Sequence, residues 1–254
     1  MQTHSAEGLI LRTYRYGEAD RIVVFLTEDR GKKRGVAKNA TASRRRFGAA
    51  LEPLTRGRVT YVERESRELV RLDRVELRQG PMGAMATRGG DDGAHVLGHA
   101  AYFAELIDEW APDGMANERL YRLGAAVGDG LAVPGSIDAL ARYFEYWLLR
   151  LEGVYPAIDR CGRCGRSLDE GAAFALADRS YVCETCAASG VHVSPEALQF
   201  LALAGRRTPV EAATAVTSPR VLRELEQVHQ RLIAAHLEKD VRSARVIKEL
   251  RPES

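Results

Sequence analysis

Four cysteines in two matched pairs, Cys161-x-x-Cys164 and Cys183-x-x-Cys186, are the only cysteines in this chain of 254 residues. They restrict its folding more than any other feature. Two thiolates separated by two residues reach one metal from a single tight turn, and two such turns complete a tetrahedral shell. Glycines flank the ligands of the first knuckle, Cys161-Gly162-Arg163-Cys164-Gly165, where the chain must curl beneath them. The 18 residues between Cys164 and Cys183 match the spacing of a zinc ribbon. Disulfides or four unrelated thiols are the competing reading. That reading suits a secreted chain, whereas Met1 to Leu11 has neither a basic leader nor an apolar stretch. Four thiolates close the shell and leave no open position, so the expected cofactor is a structural Zn2+.

The net charge of +2 hides an asymmetry. Residues 1–80 carry 18 Lys and Arg against 11 Asp and Glu, and the remainder carries 19 against 24. Within the basic end, Arg30 to Arg46 holds Arg30, Lys32, Lys33, Arg34, Lys38, Arg44, Arg45 and Arg46 with no acid among them. A solvated face normally intersperses carboxylates to limit self-repulsion, and this run has none. The expectation is contact with nucleic acid. No apolar run reaches the length of a membrane span, so no membrane partner is expected and the cytoplasm is the expected compartment.

Residues 1–80 read as β: Gly8–Tyr16, Asp20–Thr27, Lys33–Lys38, Leu54–Glu63 and Glu68–Leu77 are short runs of β-branched, aromatic and alternating residues. Gly31 marks the hairpin after Thr27, and Arg64-Glu65-Ser66-Arg67 marks the last one. Five short strands imply a small closed barrel, either an OB-fold or an SH3-like barrel. Tyr14 and Tyr16 share one strand face and Arg15 points the other way. These tyrosines and Phe47 are candidate stacking residues for bases, as well as ordinary packing residues. Residues 81–93, rich in glycine, read as a linker. Helical periodicity then runs through 94–157 and resumes over 191–254, with Ser136, Ser194-Pro195 and Ser218-Pro219 as helix starts and Gly153 as a stop. The four-cysteine module, 158–190, is inserted between the helical parts and includes a small hairpin. The fold class is therefore α+β and multidomain.

The chain offers no nucleophile with a base and no phosphate-binding P-loop, so no enzymatic activity is expected. His95 and His99 lack the glutamate of a zinc-protease motif, and Asp91-Asp92 and Asp108-Glu109 read as solvated acids. The alternative function is a zinc-ribbon RNA-binding assembly or translation factor. A zinc-dependent transferase is a more distant one.

Several stretches carry a family likeness: Gly8-Leu9-Ile10-Leu11-Arg12-Thr13, Tyr16 to Val23, Thr27 to Gly31, Gly35-Val36-Ala37-Lys38, Arg45-Arg46-Phe47-Gly48, Leu148 to Pro156 leading into Asp159-Arg160-Cys161, and Val241 to Arg245. Through them the chain resembles the bacterial RecO family of recombination and repair mediators. The resemblance implies an N-terminal OB-fold, binding of single- and double-stranded DNA, annealing of complementary strands and help in loading a RecA-type recombinase. It also implies a RecR-type partner and the acidic tail of the single-strand-binding protein. Some family members lack the cysteines, which implies that the metal supports the fold.

Overall fold

A computed structural model describes residues 2–43, 45–64, 68–89, 92–238 and 241–250, with the backbone alone for Lys248. Arg44, the turn residues Glu65 to Arg67, Asp91, and the basic tail residues Lys239 and Arg251 lie outside the described residues. The chain divides into two compact units, Met1–Pro134 with Val241–Ser254, and Gly135–Asp240.

The first unit is built on five strands, β1 (Gln2–Tyr16), β2 (Asp20–Thr27), β3 (Gly31–Ala37), β4 (Arg56–Glu63) and β5 (Val70–Gln79). They close a barrel in the order β1-β2-β3-β5-β4. β1 is long enough to serve two neighbours. Its first half pairs with β4 from Gln2 to Leu9, and after an irregularity between Ile10 and Arg12 its second half completes the pairing with β2. The parallel β3–β5 pairing spans only Gly35, Val36 and Ala37. This five-stranded order is that of the OB-fold, which resolves the choice left open by strand count.

β2 is a continuous apolar run from Ile22 to Leu26 because most of it is buried on both faces. Val23 and Phe25 point into the barrel with Ile10, Tyr61 and Leu72. Val24 and Leu26 point outward yet are 2% and 0% exposed. They lie on the side covered by helices α2 (Asp92–Trp110) and α3 (Glu118–Leu131), which pack on β1. Beyond β3, Ala40, Phe47, Ala50 and Leu51 pack against the core of the barrel. Phe47 is 2% exposed in the core beside Ala50, which favours the packing alternative for that residue. Gly31 adopts φ +69°, and a Cβ there would lie 2.2 Å from the Met115 carbonyl oxygen; the turn and the close approach both require glycine.

The reading of 81–93 as a linker is also corrected. Pro81–Arg88 forms helix α1, with Pro81 in its first turn. The Arg88 guanidinium donates to the carbonyls of Leu131, at 2.8 Å, and Val133, capping the end of α3. This contact is long-range and has no local sequence signal. The C-terminal helix, numbered α8 below (Arg242–Leu250), packs on α2, where Glu105 accepts hydrogen bonds from Arg242 N and Ser243 N at 3.2 and 2.8 Å.

The second unit contains α4 (Ile137–Leu151), strands β6 (Ala172–Ala175), β7 (Ser180–Val182) and β8 (Val191–Val193), then α5 (Pro195–Ala204), α6 (Pro209–Thr214) and α7 (Pro219–Leu237). Ser136, Ser194 and Ser218 each accept a backbone N–H three residues on, as N-caps do. Gly153 follows α4 at φ +70°. The three strands form one sheet in the order β7-β6-β8; β8 falls at the start of the stretch 191–254 that reads as helical from sequence.

Candidate nucleic-acid interface and metal centre

β3 runs through the middle of the basic segment and separates its charges. A strand rises roughly 3.3 Å per residue, so Arg30 and Lys38, at opposite ends of β3, lie roughly 25 Å apart. Alternation then sends neighbouring residues to different faces. Lys32 turns toward the helical cover, where its side chain is 9% exposed; its Nζ donates to the Asp108 carbonyl at 2.7 Å and lies 3.4 Å from the carboxylates of Asp108 and Asp113. Its expected contact with nucleic acid is corrected, because a buried and paired ammonium is not available to phosphate. Asp108 and Glu109, read as solvated, are likewise engaged, and both also pair with Arg12.

Lys33 points toward the mouth of the barrel. It donates to Glu63 at 2.9 Å, and Glu63 also meets His4 at 3.4 Å. The Lys33 hydrogen bond holds the Glu63 carboxyl below its ordinary range. Inside the barrel, burial pushes the Tyr61 hydroxyl up to about 12. Arg30 is exposed at the β2–β3 turn, 3.6 Å from Asp29. Arg34 is exposed on β3 and has no ion pair among the described residues. At the other end of the strand Lys38 is exposed and pairs with Asp20. Arg45 is exposed, while Arg46 donates to Ser43 Oγ at 2.9 Å and lies over the Phe47 ring at 5.0 Å.

The open part of the barrel wall is the half that α2 leaves uncovered. There Tyr14 stands opposite Ile22, Ile22 opposite Val36, and Val36 opposite Arg71, so the four form a row across four strands on one face. Tyr14 and Tyr16 are 44% and 48% exposed. On the other face of the same strand ends, Arg15 stands directly opposite Arg21. Like charges in that register repel, and neither arginine has an ion pair among the described residues. An anion would relieve that repulsion. Sequence reasoning found Tyr14 and Arg15 but missed Arg21, Arg64 and Arg71, which sit outside the basic run and are gathered only by strand pairing.

A groove of about 440 Å³ opens at the β3–β5 seam, lined by Tyr16, Val36, Lys38, Leu69 and Arg71 among others. It exists because the seam has only three paired positions before β3 departs into segment 39–55.

In the second unit the four cysteine sulfurs lie within 4.8 Å of one another. Cys164 and Cys183 Sγ are 3.7 Å apart, far beyond the roughly 2.05 Å of a disulfide. Metal–sulfur bonds of about 2.3 Å in a tetrahedron place sulfurs roughly 3.8 Å apart. The cluster therefore fits a divalent metal. A backbone N–H from Cys183, aided by those of Cys164 and Arg163, pushes the Cys161 thiol down to about 6. Cys186, crowded by the sulfurs of Cys164 and Cys183, is pushed up to about 12. Four thiolates cannot share this space without a cation. Arg163 braces the knuckles, with Nε 2.6 Å from Asp178 and Nη1 2.6 Å from the Cys186 carbonyl. At Gly162 a Cβ would come within 2.8 Å of Ser180, which explains the glycine.

A buried polar chain, unmarked in the sequence, joins this module to its helices. Arg142 donates to Glu145 at 2.8 Å, Glu145 meets His229 Nδ1 at 2.9 Å, His229 Nε2 meets Tyr155 at 2.8 Å, and Tyr155 meets Tyr181 at 2.9 Å. Burial keeps His229 below its ordinary value and raises Tyr155 well above its own. With the imidazole neutral, Nδ1–H donates to Glu145 and Nε2 accepts from Tyr155. Tyr181 is two residues from Cys183, so the chain anchors the second knuckle.

Comparison with known proteins supplies the remaining constraint. Residues 1–81 match the family model described as Recombination protein O N terminal, and residues 94–245 match Recombination protein O C terminal. The gap between the matches covers most of α1. The chain is 37% identical to the DNA repair protein RecO of Koribacter versatilis over 249 residues, covering 96% of this chain and 98% of that one. It is 35% identical to the protein of the same name from Geobacter metallireducens over the full length of both. Identity to that of Anaeromyxobacter sp. (strain K) is 34%, over 96% of each chain. Among the described residues no helix is long and apolar enough to cross a membrane.

Proposed function

The chain belongs to the RecO family of DNA repair proteins, and from that premise we propose that it works as a non-enzymatic mediator that binds DNA on its OB barrel and anneals complementary single strands. The observation that carries the DNA-binding surface is the facing pair Arg15 and Arg21, without carboxylate partners, at the end of the wall that exposes Tyr14 and Tyr16. Phosphates satisfy such arginines, and aromatic faces take unstacked bases. Arg34, Lys38 and Arg45 extend the cationic surface.

Annealing follows from the same electrostatics. Two complementary strands repel, and a cationic wall that neutralises both leaves their base edges free to pair. Assistance to a RecA-type recombinase on strands coated by single-strand-binding protein, through that protein's acidic tail and a RecR-type partner, rests on family membership. So does activity in the cytoplasm, at the nucleoid. The four-cysteine cluster holds Zn2+ in a structural role, supported by its closed all-thiolate shell.

Strand annealing with and without single-strand-binding protein tests this reading. The protein should accelerate annealing of naked strands and retain that activity on coated ones. Competition among single-stranded DNA, duplex DNA and structured RNA separates it from an RNA-binding role. Preference for RNA with no annealing activity would refute the mediator reading.

A further inference from the structure

We propose that the groove at the β3–β5 seam is a pocket for one unstacked nucleotide, through which the barrel distinguishes single strands from duplex. The inference rests on the DNA-binding reading above and goes beyond it by naming the site and its occupant. The groove has a volume of about 440 Å³, enough for a base with its sugar and phosphate. One wall is the Tyr16 ring, 48% exposed where β1 ends, and Val36 and Leu69 supply apolar surface. Lys38, Arg64 and Arg71 stand around it against the single carboxylate of Glu68. An aromatic and aliphatic interior surrounded by cations complements a nucleotide, which is a flat π-face tethered to an anion.

The electrostatics favour exchange. Lys38 pairs with Asp20 and Arg71 with Asp73, but both cations are more than half exposed. Such surface pairs contribute little and can be given up for phosphate. Arg64 has no ion pair among the described residues. A base stacked inside a duplex cannot enter without being pulled from its partner, whereas a single strand presents one at much lower cost. The pocket also lies on the same wall as Tyr14, in the row that runs through Ile22 and Val36 to Arg71, so a strand crossing that wall reaches it without a change of direction.

The test compares the full-length protein bound to a fluorescent thymidine oligonucleotide, to an abasic oligonucleotide of the same length, and to a blunt duplex. The abasic strand keeps the phosphates and lacks the π-faces. Tyr16→Ala should weaken the thymidine oligonucleotide about tenfold, leave the abasic strand and the duplex unchanged, and be rescued by Tyr16→Phe. Tyr16 lies outside the barrel core, and circular dichroism should confirm an unchanged fold. Equal weakening of all three ligands by Tyr16→Ala, or no weakening of any, would overturn the pocket while leaving the DNA-binding reading intact. A wild-type protein that bound none of the three would overturn that reading, and the pocket with it.

Discussion

Lys32 and Asp108 meet beneath the helical cover of the barrel, the Lys32 ammonium donating to the Asp108 backbone carbonyl at 2.7 Å and lying 3.4 Å from its carboxylate. The contact ties β3 to α2 and takes one lysine of the basic run out of the DNA-binding inventory.

Lys32→Ala removes a charge-assisted hydrogen bond to the Asp108 carbonyl and one of the two cations beside the Asp108 carboxylate, Arg12 remaining, at a cost of about 2 kcal/mol. Lys32→Ala should therefore lower the unfolding free energy by about that amount in denaturant titrations. Arg34→Ala, on the same strand but exposed, should change stability by no more than about 0.5 kcal/mol and weaken DNA binding. Equal stability in the two variants would remove the structural role assigned to Lys32.

Each phosphate contact on a single strand contributes about −0.7 to the slope of log affinity against log salt. Arg15→Gln, Arg21→Gln and Lys38→Gln should each make that slope shallower by about 0.7 in anisotropy titrations across a salt series. Arg163→Gln, whose guanidinium braces the metal knuckles, should leave it unchanged.

The chain has two tryptophans, Trp110 on α2 in the first unit and Trp147 on α4 in the second. Each unit therefore has one fluorescent reporter. Metal binding by a four-thiolate shell supplies about 10 to 16 kcal/mol of apparent free energy in zinc-finger peptides. One zinc per chain should be found by elemental analysis, and Cys183→Ser should abolish it. Chelation should lower the unfolding midpoint seen by Trp147 in a Trp110→Phe background, with a much smaller effect on Trp110 in a Trp147→Phe background. Retention of one zinc by Cys183→Ser would rule out the assigned ligand set.

Glu105 holds the start of α8. Burial pushes its carboxyl up, but hydrogen bonds from the Ser243 hydroxyl and amide and the Arg242 amide outweigh burial, and the group sits below its ordinary value of 4.5. A carboxyl with a depressed folded-state pKa contributes stability that is fully present above about 4.5 and is lost as the pH falls below it. Hydrogen exchange of the α8 amides should therefore accelerate as the pH drops through that range, after correction for intrinsic exchange. In Glu105→Gln the helix should be less protected at neutral pH and this dependence should disappear.

The barrel strands, apart from the Gln2–Glu7 half of β1, were legible because their signals are local. Alternation and the turn glycine at Gly31 depend on neighbours within a few residues. The helix caps at Ser136, Ser194 and Ser218 were legible for the same reason. Helix α1 was not, since Arg88 reaches across more than forty residues to the carbonyls of Leu131 and Val133. The buried chain from Arg142 to Tyr181 was hidden likewise, its members being drawn from α4, α7 and the metal module.

The basic run shows where the division falls. By itself the sequence picked out the four-cysteine cluster, because a Cys-x-x-Cys turn sets its own geometry over four residues, and it determined that the positive charge belongs to the barrel. Only the tertiary structure decided which cations can meet a phosphate. Lys32 and Arg34 share one face of β3, but packing of α2 buries Lys32 against Asp108 and leaves Arg34 exposed, and antiparallel pairing set Arg15 against Arg21. Desolvation and cross-strand neighbours set the availability of a charge, and both are properties of the folded surface rather than of adjacency along the chain.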